Sequence, residues 1–379
     1  MGQIRLKGIT WDHSRGYTPL VATAQRFMEL NKDVEIIWHK RSLQDFADKP
    51  IGQLAKDFDL LIIDYPWIGY AAETAKLLPL NKYLPEQFLQ QQLQASVGAS
   101  FESYTHQGQT WAIPMDAATP VASYRPDIFQ QGNWQLPGTF EDLLALADRG
   151  QVILPGIAVD TLMNFYMFCC TLGENPFTQV GQVISEQTGL QALELYKSLI
   201  SKIDPICFEL NPIKVYELMS STDQYSYCPF AYGYSNYARK GYAAHPIHFT
   251  DLVRLNGKPL ITTIGGTGLG VSAYCMYKSK AIAYLQYTTS AAVQEALYFE
   301  TGGQPAHLQA WMSKGTNQAT QHFFTRTLPA LKRAYLRPRY NGYIYFQDHA
   351  GDLIRNYLIS GGQPKNVLSE LNHLLNTVH

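Results

Sequence analysis

The sequence carries almost no net charge and no block of like charges. Its 30 Lys and Arg against 31 Asp and Glu leave a formal charge of −1, too little to draw a nucleic acid or an anionic membrane over long range. No low-complexity segment interrupts the chain. No stretch reaches the roughly 18 apolar residues that a membrane span needs. Metal and redox motifs are missing too. The five cysteines cannot all pair, Cys169 and Cys170 are adjacent, and none shows CxxC spacing, so free buried thiols are expected. The ten histidines contain no HExxH. His245-Pro246-Ile247-His248 is the one tight pair, and its proline keeps the two rings off a shared helical face. There is no GxSxG elbow and no cysteine in a recognisable nucleophile signature. Asp64 and Asp116 could be set side by side as an acid/base pair, yet neither sits in a glycosidase motif. No catalysis, cofactor or metal is expected.

What is abundant is tyrosine. The chain has 25, beside 17 Phe and 6 Trp, with 46% hydrophobic residues overall. Most of these rings are ordinary core. A tyrosine nevertheless joins a flat apolar face to a polar tip, which suits a wet cleft gripping a ligand with both apolar and hydroxyl faces, such as a sugar. At 379 residues the chain is long enough for two domains.

Read in order, Ile4–Ile9 alternates apolar and polar residues as a strand and runs into the polar loop Thr10–Tyr17. Thr18-Pro19 gives an N-cap and a first-turn proline for a helix through Leu30. Val34–Trp38 and the apolar run Asp59–Asp64 are further strands, and a short helix is expected near Gly69–Lys76. This is the start of a doubly wound α/β unit, in which ligands bind beyond the carboxyl ends of the strands. Trp11, His13, Arg15, Arg41, Asp64 and Tyr65 fall there. Duller roles stay open: Asp64 also fits as a helix cap and Arg41 as a solvated side chain.

Trp111–Pro120, with a proline near each end, reads as an extended crossing between two lobes, placing Asp116 at a hinge facing the cleft. Beyond it the pattern predicts a strand at Val121–Arg125, and a capping box at Thr139-Phe140-Glu141-Asp142 opening a helix to Asp148. A strand at Gln151–Ala158 and helices near Leu162–Leu172, Gly189–Ser201 and Asn211–Ser221 follow. Tyr225–Tyr237 is the densest aromatic stretch, read as a strand whose tyrosines partly meet the cleft. In Ile261–Tyr274 the glycines lack GxGxxG spacing and no helix follows, so close backbone approach to a ligand or to the other lobe, rather than nucleotide binding, is expected. Helices are expected at Ser279–Ser290, Ala291–Glu300, Thr316–Ala334, Ala350–Ser360 and Pro364–Asn376, with an aromatic loop at Tyr340–Phe346.

Together, Gly8–Gly16, Asp59–Pro66, Ala112–Ala118, Gly265–Tyr274 and Thr301-Gly302-Gly303-Gln304-Pro305 resemble family 1 extracellular solute-binding proteins, the carbohydrate-binding subunits of ABC importers. The resemblance implies a type II periplasmic-binding-protein-like α/β fold: two discontinuous lobes joined by crossovers that close on a ligand. On that plan residues 1–112 and 260–305 form lobe one, 119–259 and 306–379 lobe two, and 113–118 the first crossover. It also implies a monomer that hands a carbohydrate or other polyhydroxylated small molecule to a membrane permease. The expected hydrogen bonders are His13, Arg15, Arg41, Asp64, Asp116 and Gln304. The stacking platforms are Trp11, Tyr65, Tyr232, Tyr234 and Tyr343, with Gly266 and Thr267 bringing backbone close. Periplasmic or extracellular placement is implied; since Met1-Gly2-Gln3-Ile4-Arg5 carries no apolar signal core, a cytosolic sensor or enzyme on the same bilobal fold is the alternative. A protein-interaction module, with large exposed aromatic patches, is a third.

Overall fold

The structure is a computed structural model describing residues 3–43 and 51–377. Met1 and Gly2, part of the N-terminal stretch searched for a signal, lie outside the described residues. The chain divides into two compact units. Unit 1 comprises residues 1–118, 265–318 and 339–341, and unit 2 comprises 119–264, 319–338 and 342–379.

Two principal sheets are built from β1 (Ile4–Trp11), β2 (Val34–Arg41), β3 (Leu60–Ile63), β4 (Ile113–Ala118), β5 (Pro120–Tyr124), β6 (Tyr227–Tyr232), β7 (His248–Thr250) and β8 (Gly265–Val271). Unit 1 holds the five-stranded sheet in the order β2-β1-β3-β8-β4. The β1 strand pairs in parallel with β2 and β3, whereas β8 runs antiparallel to β3 and β4. Its apolar side chains Leu6, Ile36, Leu60, Ile62, Ile113, Met115, Leu269 and Val271 form one core with Leu20, Ala24 and Phe27 of helix α1 (Thr18–Leu30). The run Leu60–Ile63 is buried throughout, as its unbroken hydrophobicity requires. Helices α2 (Ile51–Asp57) and α3 (Ile68–Thr74) flank β3 in sequence.

Unit 2 is mainly helical around a small antiparallel sheet, β6-β5-β7. Helix α4 (Ala158–Leu172) is buried on nearly every face. It meets helix α5 (Tyr343–Ser360) where Gly351 lies so close to the Ala158 carbonyl that a Cβ would sit 2.5 Å from its oxygen.

Several sequence expectations need correction. Ile113–Ala118, expected as the extended first crossover, is the strand β4 and is grouped with unit 1, the chain passing to unit 2 after Ala118. Residues 306–318, assigned to lobe two, pack in unit 1. There the Ala306 amide donates to Gln294 Oε1 (2.9 Å) and Trp311 Nε1 to the Pro305 carbonyl (2.6 Å). The N-cap of α1 is Tyr17, and the Thr18 hydroxyl donates to the Ser14 carbonyl instead of accepting from the helix. Gln151–Ala158 makes only an isolated bridge at Val152. Pro155 offers no amide there, and Gly156 turns to donate to the Cys207 and Leu210 carbonyls. The aromatic strand stops at Tyr232, and a 3₁₀ turn follows at Ser235–Ala238. Ala291–Glu300 is helical throughout, as expected, with a π turn at Gln294–Tyr298 inside it. The helix expected at Thr316–Ala334 is broken by Gln321 and His322, both at positive φ, into Lys314–Ala319 and Phe323–Lys332. Conversely α5 begins seven residues early, at Tyr343, because Gly342 at φ 104° starts it and Tyr343 and Phe346 bury their rings. The capping box at Thr139 and Asp142 forms with both of its hydrogen bonds.

Candidate functional site

In unit 1 the predicted residues converge on the carboxyl end of β1 and on the β4–β8 pairing. The Trp11 ring closes β1 and lies on Gly16, whose absent Cβ would be 2.3 Å from it; only 3% of Trp11 is exposed. The loop then turns at His13, whose Nδ1 accepts from the Arg15 amide at 3.0 Å. Burial and, secondarily, the Arg15 charge lower the His13 pKa to about 4. His13 is therefore neutral at physiological pH, and with Nδ1 accepting, its proton resides on Nε2.

Arg15 and Asp116 form the electrostatic centre of this unit. Arg15 Nε donates to Asp116 Oδ2 at 2.7 Å and Arg15 Nη2 donates to Oδ1, a bidentate pair between side chains 4% and 0% exposed. Burial pushes the Asp116 carboxyl above its ordinary pKa, while the Arg15 charge and hydrogen bonds pull the other way. Opposite Asp116 on β8 stands Thr267, and the register shifts between Thr267 and Gly268. The Thr267 hydroxyl is buried and has no hydrogen-bond partner among the described residues. Gly266 has φ 100°, and a Cβ there would lie 2.2 Å from the Asp116 carbonyl oxygen. Gln304, fully buried, donates from Nε2 to the Ala117 carbonyl at 2.8 Å.

The remaining predicted residues are placed differently. Arg41 ends β2 in register with Trp11 and is 8% exposed. Asp64 caps the turn after β3, accepting from the Tyr65 amide at 2.8 Å. Tyr65 is buried edge-on against Tyr104, with ring centroids 6.4 Å apart. In unit 2, Tyr232 is half-buried and its hydroxyl is 3.0 Å from Thr263 Oγ1. The Tyr234 ring packs on Tyr216, whereas Tyr343 is fully buried among Phe177 and Phe346.

Two tyrosines of this region escaped the sequence. Tyr104 lies under Gly268 and reaches the Ile63 and Gly266 carbonyls at 3.3 and 3.4 Å. Tyr298 is buried where the charges of Asp116 and Arg15 act on its phenol. Their only sequence signal is indirect: Gly268 and Gly303 leave the space these rings occupy. The described residues contain no group of three or more His, Cys, Asp or Glu able to hold a metal. No described helix is long and apolar enough to cross a membrane. What unit 1 offers is a neutral imidazole, an anchored guanidinium and an unpartnered hydroxyl, a set suited to hydrogen bonding.

A family model for bacterial extracellular solute-binding proteins matches residues 10–202, just over half of the chain. The chain belongs to that family. Among curated proteins, the maltotriose-binding protein of Pyrococcus abyssi is 26% identical over 126 residues, covering 33% of this chain and 26% of the relative. The match thus spans about a quarter of that protein's length. Solved solute-binding proteins align end to end. An ABC transporter solute-binding protein from Agrobacterium radiobacter K84 in complex with ribitol gives a TM-score of 0.85 at 16% identity, covering 100% of this chain and 99% of that one. The maltose-bound MalE3 of T. maritima gives 0.85 at 15% identity, with 99% and 100% covered. At such identities the likeness establishes the fold, the two-lobed α/β type II architecture of periplasmic binding proteins. For this solute-binding protein the match begins at residue 10, so it takes in the β1 end, the β1–α1 loop and β4, which carry Trp11, His13, Arg15 and Asp116.

Proposed function

We propose that this protein is a non-enzymatic receptor that captures a sugar or polyol and delivers it to the permease of an ABC importer. It would work outside the cytoplasm as a monomer, with no part for nucleic acid. The reading rests on family membership together with the chemistry gathered at β1 and β4–β8, which supplies hydrogen-bonding groups but no nucleophile with its base. The bound compounds of the structural relatives, ribitol and maltose, are polyhydroxylated. Hydroxyl-rich ligands are held by planar charged groups and by rings under their apolar faces.

In this proposal Arg15, His13 and Thr267 present donors to ligand hydroxyls, with Arg41, Asp64, Gly266 and Gln304 around them. Trp11, Tyr65, Tyr232, Tyr234 and Tyr343 are the candidate ring platforms. Asp116 takes a role other than direct acceptor. Both its oxygens already accept from Arg15, so it orients the guanidinium. Calorimetry against a panel of ribitol, maltose, maltotriose and monosaccharides tests the proposal, with product analysis of each mixture afterwards. Saturable binding of at least one compound, recovered unchanged, is expected. Absence of heat across the panel, or conversion of a bound compound, would reject it.

A further inference from the structure

Away from these residues, unit 1 carries a groove of about 550 Å³ lined by Gly52, Gln53, Lys56, Asp57, Tyr70 and Lys76. That volume lies in the range of small-molecule sites. Two ammonium groups reach it from different elements, Lys56 from the last turn of α2 and Lys76 from just beyond α3. Neither forms an ion pair with a carboxylate among the described residues. Lys76 Nζ donates to the Tyr274 hydroxyl at 3.1 Å and lies 5.6 Å from the centre of its ring. The Tyr274 phenol is pulled below its ordinary pKa by that hydrogen bond, by the Lys76 charge and, more weakly, by Lys56. Both positive charges therefore act on one exposed oxygen. Opposite them the Tyr70 hydroxyl lies over Gly52, where a Cβ would sit 2.4 Å from it. Asp57 is the one acid in the lining among the described residues, leaving the groove with a net positive charge.

The segment carrying Tyr274 is fixed to this part of the unit. The Ser272 amide donates to the Asp59 carbonyl (2.9 Å), the Ser272 hydroxyl to the Ala55 carbonyl, and the Ala273 amide to the Lys76 carbonyl (3.0 Å). The backbone that carries Tyr274 is thus held beside Lys76 by its own hydrogen bonds. Arginine forks suit planar carboxylates, and the groove has none; separate ammonium and phenol donors suit an anion with oxygens pointing several ways.

We propose that this groove binds the phosphate group of a small phosphorylated molecule or of a lipid headgroup, with Lys56 and Lys76 supplying charge, Tyr70 a hydroxyl donor, and the Tyr274 hydroxyl, bonded to Lys76 at the edge of the lining, a second. The site is separate from the sugar-binding residues and does not depend on that assignment. In one arm, inorganic phosphate and glycerol 3-phosphate are titrated calorimetrically into the full chain. In the other, the chain is cosedimented with phosphatidylglycerol vesicles and with phosphatidylcholine vesicles. The control is the double variant K56Q/K76Q, whose surface changes leave the fold intact by near-UV circular dichroism. Binding in solution assigns a free phosphate ligand, and binding to phosphatidylglycerol vesicles alone assigns a headgroup. In either case the double variant binds about five- to tenfold more weakly, and raising salt weakens wild-type binding. No binding in either arm, or binding that the double variant retains in full, overturns the proposal.

Discussion

Asp160 is predicted to make unit 2 less stable as pH rises, and Asp160→Asn to remove that loss. The residue lies in the first turn of α4 and is 5% exposed. Among the described residues its buried Oδ2 has no hydrogen-bond partner, and no cation is paired with it. The charged form is therefore penalised, and burial alone raises the pKa from 3.8 to about 7. Its charge is felt by the buried Tyr196 phenol and Cys228 thiol, both of which remain protonated at neutral pH. A shift of about three units is worth about 4 kcal/mol in the difference between protonation states. The sign follows from linkage. The folded chain holds this proton more tightly than the unfolded chain, so the stabilisation is complete below about pH 4. It is lost as pH climbs towards about 7 and stays lost above. The amide of asparagine matches the neutral acid in size and cannot ionise. At pH 8, Asp160→Asn should be more stable than wild type by about 3 kcal/mol, the carboxylate's favourable place at a helix N-terminus offsetting about 1 kcal/mol of the gain. At pH 4 the two should be indistinguishable. Urea unfolding at pH 4, 6 and 8, followed by circular dichroism, measures the difference directly because other titrations cancel between the two proteins. A variant that is less stable at pH 8, or that keeps the wild-type pH slope, would refute the reasoning.

Asp116→Ala removes the carboxylate that accepts the bidentate bond of the buried Arg15 guanidinium and should lower stability by about 3–5 kcal/mol while strongly weakening sugar binding; unchanged stability or unchanged affinity, read by thermal melts and calorimetry, would refute the orienting role. Thr267→Val, which deletes an unpartnered buried hydroxyl, should leave stability the same or raise it by up to about 1 kcal/mol while weakening ligand binding by about fivefold; calorimetry and thermal melts separate the two effects. Gly266→Ala forces a Cβ against the Asp116 carbonyl at positive φ and should destabilise by about 1–3 kcal/mol or more, read from the urea midpoint. Thr139→Ala removes a complete capping box and should cost about 1 kcal/mol with no change in ligand affinity.

The parts of the fold legible in the sequence were those where one local cause decides the outcome. The run Leu60–Ile63 is apolar at every position and is a buried strand; Thr139 and Asp142 have the spacing of a capping box and form one. Illegible parts depend on partners distant in sequence. Gln151–Ala158 has a strand-like pattern, but Gly156 spends its amide on the Cys207 and Leu210 carbonyls and the segment never extends. Tyr340–Phe346 reads as an aromatic loop because no pattern reveals that Tyr343 and Phe346 pack with Phe177, which makes them the first turn of a helix. The candidate site shows the same division. Residue types beyond a strand end marked His13 and Arg15, and the proline-flanked extended segment Trp111–Pro120 marked Asp116, whereas Tyr104 and Tyr298 are placed by the absence of side chains at Gly268 and Gly303.

The bonds of Asp116 bear on the role proposed for its carboxylate. At a hinge facing the cleft, a carboxylate without a side-chain partner would be a direct hydrogen-bond acceptor for the ligand. In β4 it is held by backbone pairing to β8 and by an isolated bridge to Pro305. Its side chain is meanwhile committed to a residue 101 positions earlier in the chain. Arg15 belongs to the irregular loop between β1 and α1, the kind of segment that a rigid strand is suited to immobilise. A bidentate bond from a sheet strand fixes both the position and the plane of the guanidinium, and burial makes breaking that bond expensive. In the proposed receptor role, the orientation cost of the Arg15 loop is then met during folding, before any ligand arrives, and affinity would rise without an added contact.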